Sequence, residues 1–306
     1  MSSPCPSNGK WFKGSIHGHS LFSDGDASPE QIADVYRELD YDFVILTEHN
    51  RLTPADRLPV YDNGDFLMFA GEEVTAEADG LPVHVNAYGL NRTVTPVNHD
   101  SVQDTLQANI DLVLDAGGVP QVNHPNFRWA FTHRQLHNVS GYNLMEIFNG
   151  HADVANGGDS SHPSHEFIWD QLLTYGRKIF GVAADDAHHY LGSARRHPPG
   201  RGWINLRIDK LSVDSVVEGI HRGMFYSSTG PSLEELSCSN GTLRVKVADY
   251  TPGTLCLYIG AGGRLLYYSD EASSEFSLPG DEPYVRARID DTRGRSAWTQ
   301  PLWNSR

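Results

Sequence analysis

The sequence predicts an α/β fold followed by a small all-β region, on three observations. Up to about Ile208, short β-branched or apolar runs alternate with amphipathic helical patterns, as in successive βα units with a largely parallel sheet. Beyond Gly230 the helical patterns stop, and short strand-like runs are separated by glycine- and proline-containing turns, the texture of a β-sandwich. Histidine follows the same division: of 15 in the chain, none lies between Gly230 and Arg306. Residues 1–229 are therefore expected to form one domain and residues 230–306 a second, sandwich-like one.

The elements follow in order. A strand is expected over Gly14–His17. Ser28-Pro29-Glu30-Gln31 offers an N-cap serine, a proline at the first helical position and a capping-box glutamine, and Ile32, Val35, Tyr36 and Leu39 then recur at helical spacing. Asp42–Leu46 reads as a buried strand. Further strands are expected at Phe66–Ala70, Val83–Tyr88, Val119–Val122, Leu144–Phe148, Lys178–Ala183 and Trp203–Ile208. Helices are expected near Ser101–Ala116, stopped by Gly117-Gly118, and near Ser164–Tyr175 and Ser212–His221. In the second region, Leu243–Val247, Leu255–Ile259, Leu265–Tyr268 and Tyr284–Ile289 read as strands between Asn240-Gly241, Pro252-Gly253, Gly262-Gly263 and Pro279-Gly280 turns.

Composition narrows the chemistry. The 306 residues carry 39 acidic and 24 basic side chains, a formal charge of −15, which disfavours a polyanionic nucleic acid as partner. Histidine outnumbers cysteine 15 to 3, so any metal should be held by nitrogen and oxygen. Cys5, Cys238 and Cys256 are odd in number and widely spaced, which reads as reduced structural thiols. The N-terminal segment has no apolar stretch of signal-peptide length and the chain has no run of 18 apolar residues, so the expectation is a soluble, cytoplasmic protein with no membrane contact.

The polar groups with chemistry in them collect where predicted strands end. They are His17-Gly18-His19 with Ser23-Asp24-Gly25, Thr47-Glu48-His49, Gly71-Glu72-Glu73, His84 inside Val83-His84-Val85, Asn123-His124-Pro125, Glu146–Gly150 and Asp185-Asp186-Ala187-His188-His189. In a closed parallel α/β barrel the carboxyl ends of the strands meet at one face, and ligands far apart in sequence converge there. Side chains at i and i+2 of an extended segment point the same way, so His17 and His19 can reach one ion, as can Asp186 and His188. A glutamate beside them has two oxygens with which to bridge two ions.

Each of these groups has an ordinary reading when taken singly. A lone His-x-His is a surface or satisfied polar pair, His84 a hydrogen-bonded core histidine, Asp185-Asp186 a helix N-cap and Asn123-His124-Pro125 a turn. Their recurrence at one end of at least five strands points to a multinuclear metal site instead.

Taken in this order, the motifs resemble those of the PHP (polymerase and histidinol phosphatase) family over about the first 225 residues. Glu146–Gly150, Ser227–Pro231 and the ending Ser296-Ala297-Trp298-Thr299 resemble its carbaryl-hydrolase-like branch, which includes carbamate ester hydrolases. The resemblance implies a distorted (β/α)7 TIM-like barrel holding two or three divalent ions (zinc, manganese or iron) and a hydrolase acting mainly on phosphoesters. Carried across position by position, it puts His17, His19, Glu73 and Asp186 around a first metal. Glu73 bridges to a second with His124 and His84, and Asp24, His49 and His188 serve a third. Glu72 is the alternative to Glu73, and the Gly-x-Glu spacing favours Glu73.

The expected activity is metal-assisted hydrolysis of a small-molecule ester, a phosphoester first and a carbamate or carboxyl ester as the alternative. Asp186, His188 and Glu73 are the candidate catalytic groups, with His188 or His151 placed to protonate a leaving oxygen. Arg128 suits a phosphate and Phe127 and Trp129 an aryl group, so Arg128, Trp129 and His151 are candidate substrate contacts. The bland reading of that segment is a packed loop. A nuclease would need a basic rim, for which Arg195-Arg196-His197 and Arg201 are candidates, although such a run is usually a solvated loop. A non-catalytic metal-binding module would have no reason to keep the full ligand set.

Overall fold

The computed structural model describes residues 5, 9–61, 64–192 and 196–304. The first region is built on strands β1 (Lys10–Ser15), β2 (Phe43–His49), β3 (Leu67–Ala78), β4 (Leu81–Tyr88), β5 (Val119–Val122), β6 (Leu144–Asn149) and β7 (Phe180–Ala184), hydrogen-bonded in that order. The pairs β1–β2, β2–β3, β5–β6 and β6–β7 are parallel. On the other side of β1 come β8 (Trp203–Ile208) and β9 (Phe225–Ser228), both antiparallel to their neighbours. The outer members of the run β1–β7 approach each other just beyond their carboxyl ends. There Asp186 N donates to the His17 carbonyl at 3.1 Å and His19 N to the Ala187 carbonyl at 3.0 Å, around a parallel bridge between Gly18 and Ala187.

The helices sit where the serines predict. Helices α1 (Pro29–Glu38), α2 (Val102–Asp115), α4 (His165–Thr174) and α5 (Val213–His221) start after N-caps Ser28, Ser101, Ser164 and Ser212, each of whose side chains accepts an otherwise orphaned backbone N–H. The single-turn α3 (His133–Leu136) has no counterpart among the sequence expectations. Between β2 and β3 the described residues form only a 3-10 turn, Ala55–Arg57, so strand and helix do not alternate throughout.

The sheet departs from the expected largely parallel one at β4, which is antiparallel to both β3 and β5. The cause is local. Strand β3 continues past Glu73 to Ala78 and turns through Asp79 and Gly80, both with positive φ (52° and 72°), before β4 returns beside it. An Asp-Gly pair at positive φ is the two-residue loop that matches strand twist. Glu73 therefore lies mid-strand, and His84 sits opposite Thr75 in a hairpin rather than at a carboxyl end.

The C-terminal residues form β10 (Leu233–Ser239), β11 (Thr242–Val247), β12 (Leu255–Gly260), β13 (Arg264–Ser269), β14 (Ser273–Ser277), β15 (Tyr284–Asp290), β16 (Ser296–Trp298) and β17 (Leu302–Trp303). Strands β10, β11 and β14 make a separate three-stranded sheet. The others continue the main sheet, because β16 pairs with β9 through Ala297–Ser228 and Trp298–Ser227. Leu236, Leu243, Val245, Tyr258, Val285, Ala287 and Ile289 form a buried cluster drawn from both sheets, as in a sandwich.

A buried ionic contact ties α4 to this region. Arg286, 1 % exposed, donates from Nε and Nη2 to the two oxygens of Asp170 at 2.8 and 2.7 Å and from Nη2 to Glu166 at 2.9 Å, with its guanidinium 4.7 Å from the Trp169 ring centre. The Tyr284 hydroxyl donates to the same Asp170 at 2.8 Å.

The expectation of three reduced thiols is overturned for two of them. Cys5 and Cys238 form a disulfide across 233 residues, and only Cys256 is a free, buried thiol. Such bonds persist in oxidising surroundings, which sets this feature against the cytoplasmic expectation. No helix of the described residues is long and apolar enough to cross a membrane.

Candidate metal centre

Nine imidazole and carboxylate side chains from six separate segments converge on one cleft at the carboxyl end of β1, β2 and β7, beside the β3–β4 hairpin. They are His17, His19, Asp24, His49, Glu73, His84, His124, Asp186 and His188, and all but Asp24 are largely buried. Their potential ligand atoms fall into overlapping groups: His19, Asp24, His49 and His188; His17, His19 and Glu73; His17, His124 and Asp186; and Glu73, His84 and His124. His19 thus belongs to two groups, one of which shares it with the three residues assigned to a third metal.

Glu73 occupies the middle. Its Oε1 lies 3.4 Å from His17 Nε2, 3.0 Å from His84 Nδ1 and 3.2 Å from His124 Nε2. Its Oε2 lies 3.4 Å from His19 Nε2 and 3.0 Å from His49 Nδ1. The two oxygens therefore face two different imidazole sets. Asp186 Oδ1 is 3.3 Å from both His17 Nε2 and His19 Nε2. At the mouth, Asp24 reaches His188 at 3.4 Å and His49 at 3.6 Å. Burial alone would raise the carboxyls of Glu73 and Asp186, yet the surrounding histidines hold both well below the usual carboxylate range. His19 goes the other way: burial and two neighbouring imidazoles lower it to about 4, so it stays a neutral lone-pair donor.

Groups around these side chains fix their orientation. His17 Nδ1 is 2.6 Å from Glu146 Oε1 and His188 Nδ1 is 2.9 Å from the Asp186 carbonyl, so in each case Nδ1–H donates to a fixed acceptor and Nε2 is the nitrogen turned to the cleft. The Nε2 atoms of His17 and His19 are buried without a hydrogen-bond partner, a costly state that a cation would relieve. Asn123 donates to Glu73 Oε1 at 2.9 Å, and Asn149 donates to Glu146 at 2.9 Å and to Asp186 at 3.1 Å. Glu48 accepts from the Ser20 backbone at 3.1 Å and from the Ser20 and Ser23 hydroxyls, which holds the loop presenting Asp24. Gly25 belongs to that loop by necessity, since a Cβ there would collide with the His19 carbonyl. Asp186 adopts φ 49°, a left-handed conformation that costs a non-glycine residue on the order of 1 kcal/mol and turns its carboxylate toward both histidines.

The neighbouring carboxylates in sequence serve other ends. Glu72 faces away from the histidines and accepts from Val94 N at 3.0 Å, while its other oxygen is buried without a partner. Asp185 is not an N-cap: it accepts from the backbone of Gly200, Arg201 and Gly202 and from the Tyr36 hydroxyl.

Burial raises the Glu72 carboxyl from 4.5 to about 7. A group raised in the folded state stabilises fully below its unfolded value and loses that contribution as pH climbs through the folded one. The stability of Glu72→Gln relative to the parent should therefore increase between pH 5 and pH 8, by on the order of 1–3 kcal/mol. Chemical denaturation at both pH values measures it, and an unchanged difference would count against the buried, protonated carboxyl.

The three candidate substrate residues are placed differently from one another. His151 lines the cleft, a space of about 130 Å3, together with Phe127 and the ligand candidates other than His17 and His19, which lie beneath it. Arg128 is exposed, and it opens with His84 and Phe127 onto an adjoining groove formed by the β3–β4 hairpin and the loop after it. Trp129 stacks on His162 with ring centres 4.0 Å apart and does not line the cleft. His189 packs against His197, also outside the lining. Of the basic-rim residues, Arg195 lies outside the described residues, Arg196 pairs with Asp153 and His197 is buried.

No family model matches the sequence, and no curated protein matches it. Among solved structures, the chain is similar over 99 % of its length to 98 % of a two-domain protein containing a predicted PHP-like metal-dependent phosphoesterase from Bacteroides vulgatus, at 16 % identity and a TM-score of 0.52. That is a likeness of fold. A proposed metal-dependent phosphoesterase from Bifidobacterium adolescentis matches 72 % of the chain over 98 % of its own length, at 17 % identity and a TM-score of 0.45. An amidohydrolase from Chromobacterium violaceum with bound sulfate matches 61 % of the chain over 92 % of its own length, at 13 % identity and a TM-score of 0.43.

Proposed function

We propose that this chain is a divalent-metal-dependent hydrolase that cleaves a phosphoester of a small molecule at a di- or trinuclear site. The observation that carries the reading is the buried Glu73 carboxylate, whose two oxygens each face a separate set of imidazoles. We read β1–β7 as a distorted seven-stranded barrel, supported by the hydrogen bonds between the segments after β1 and β7. The donor set of six histidines and three carboxylates, with no thiolate, suits zinc, manganese or iron.

The residues fit such ions. Those that would hold them are His17, His19, Glu73 and Asp186, then His124 and His84 sharing Glu73, then Asp24, His49 and His188. When bound, the ions supply Lewis acidity toward the substrate oxygen and a water that ionises near neutral pH. The chain supplies the rest. Asp186 is placed to take part in proton transfer as well as ligation, and Asn149 fixes the carboxylate from which it does so. His188 holds its Nδ1 proton on the Asp186 carbonyl and turns Nε2 to the mouth of the cleft beside Asp24. Phe127 and the hairpin wall limit what enters, and a cleft of about 130 Å3 suits a small ester group rather than a folded polymer.

A carbamate or carboxyl ester hydrolase is the second reading, favoured by one feature: the Phe127 ring lies 5.4 Å from that of His124 in the lining, where an aryl group would stack. A nuclease is disfavoured by the charge of −15, and a non-catalytic module by the full donor set. One panel separates these. Metal-loaded protein is offered nitrophenyl phosphate, bis-nitrophenyl phosphate, a nucleoside monophosphate, naphthyl acetate and a naphthyl carbamate. The expected result is turnover of the phosphoesters, and turnover of the last two alone overturns the phosphoesterase.

A further inference from the structure

The loop after β6 and the loop after β7 are joined through two histidines. His151 and His197 stack face to face, with ring centres 3.5 Å apart and planes 7° apart. Each ring accepts a backbone hydrogen bond on Nδ1: Asp153 N donates to His151 at 3.2 Å and Ala152 N to His197 at 3.1 Å. A backbone N–H has no tautomer, so the direction of these bonds is fixed. A neutral imidazole that accepts at Nδ1 must carry its proton at Nε2. Because both rings accept at Nδ1, neither is an imidazolium, and two parallel imidazolium rings at this spacing would repel. His151 is thus a neutral ring with one N–H to give, and it lines the cleft beside His188 and Phe127.

Its placement is tied to the ligand cluster. The His151 backbone N–H donates to Asn149 Oδ1 at 2.8 Å, and the amide nitrogen of the same asparagine holds Asp186 and Glu146. The His197 carbonyl accepts from the backbone N–H groups of both His188 and His189 at 3.1 Å. A shift of either loop would therefore move the donor and the ligands together.

We infer that His151, whose tautomer the Asp153 backbone N–H fixes, is a neutral hydrogen-bond donor to an anionic oxygen of the substrate, and that His197 is the positioning residue that holds the plane of its ring. The inference rests on the hydrolase reading and adds to it a fixed, uncharged donor for the oxygen on which charge develops, the kind of group whose stabilisation is not spent on reorganisation. Such a donor recognises oxyanions, whether of a phosphoryl or an acyl group, and it leaves the ester class to the panel above.

The test has two independent readouts. In histidine-labelled, metal-loaded protein, nitrogen NMR should show His151 protonated at Nε2 and bare at Nδ1 at pH 7, and its Nε2–H signal should move on addition of inorganic phosphate or acetate, the acids released by the two ester classes. In kinetics on whichever panel ester turns over, His151→Ala should lower kcat about 10²-fold, the usual loss for one such donor, with metal content unchanged. His151→Asn, which keeps an N–H, should recover part of the loss. His197→Ala should lower kcat with little change in KM and shift the His151 signal, and His197→Phe, which keeps the stack, should restore part of both. A bare Nε2, a signal unmoved by either anion, or His151→Ala within threefold of the parent overturns the inference. So does loss of bound metal in His151→Ala, which would assign the imidazole, with Asp153 and His197, to an ion instead. Failure of every panel ester tells against the hydrolase reading alone, since the NMR outcome is read without turnover.

Discussion

Replacing Glu73 by glutamine is expected to strip the protein of bound divalent metal and to lower kcat/KM by at least about 10³-fold. Glutamine keeps the shape and can still accept from Asn123, but it lacks the negative charge and the second lone-pair-bearing oxygen that faces His19 and His49. Lewis-acid stabilisation is worth several kcal/mol, and each 1.36 kcal/mol is a factor of ten in rate. The adjacent Glu72→Gln is the internal control, because that carboxyl faces Val94 and not the imidazoles. Elemental analysis after dialysis, with circular dichroism to establish folding, reads the result. A full complement of metal in Glu73→Gln would falsify the central placement of this carboxylate.

The largest stability loss is expected at Arg286, far from the chemistry. Arg286→Ala leaves Asp170 buried with the Tyr284 hydroxyl as its remaining side-chain donor. Breaking one partner of a buried pair typically costs about 3–5 kcal/mol, because the other charge is left uncompensated. In a chain of this size that amounts to a fall in Tm of roughly 6–15 °C. The double replacement Arg286→Met with Asp170→Leu removes both charges and should destabilise less than Arg286→Ala, since apolar groups of similar volume often substitute for a buried pair at little cost. Differential scanning calorimetry of the three proteins decides it, and a loss below about 1 kcal/mol in Arg286→Ala would mean that Asp170 finds other donors.

Much of the fold was legible because its local signals agreed with its burial. Strands β5 and β8 fall where periodicity places them, and four helices begin after serines whose caps the structure shows. The reversal of β4 was carried by Asp79-Gly80, a pair short enough to be lost inside an apolar run. Strand β9, β10 (Leu-Glu-Glu-Leu-Ser-Cys-Ser) and β14 (Ser-Ser-Glu-Phe-Ser) are short or polar, and pairing partners rather than propensity place them. The disulfide could not be read from spacing, since Cys5 and Cys238 meet only through tertiary structure.

At the site, the nine donor residues stood out by type and order, while the groups that orient them did not. Glu146 and Glu48 carried a signal, however. A carboxylate inside Leu-Met-Glu-Ile-Phe, or after Val-Ile-Leu-Thr, is expensive to bury unless something charged or hydrogen-bonding waits for it. Asn149 and His197 gave no comparable sign, because their roles depend on backbone groups in other loops.

The disulfide makes the chain a lasso: residues 5–238 form a covalent ring, and only two tails leave it. Force applied at the two termini would run from the N-terminal tail through the sulfur–sulfur bond into the second tail. Strands β1–β9, and the candidate metal ligands gathered at their ends, lie off that line. Tension would peel the C-terminal strands first, beginning where β17 pairs with β15 and passing to β16 on β9, before the covalent ring could open.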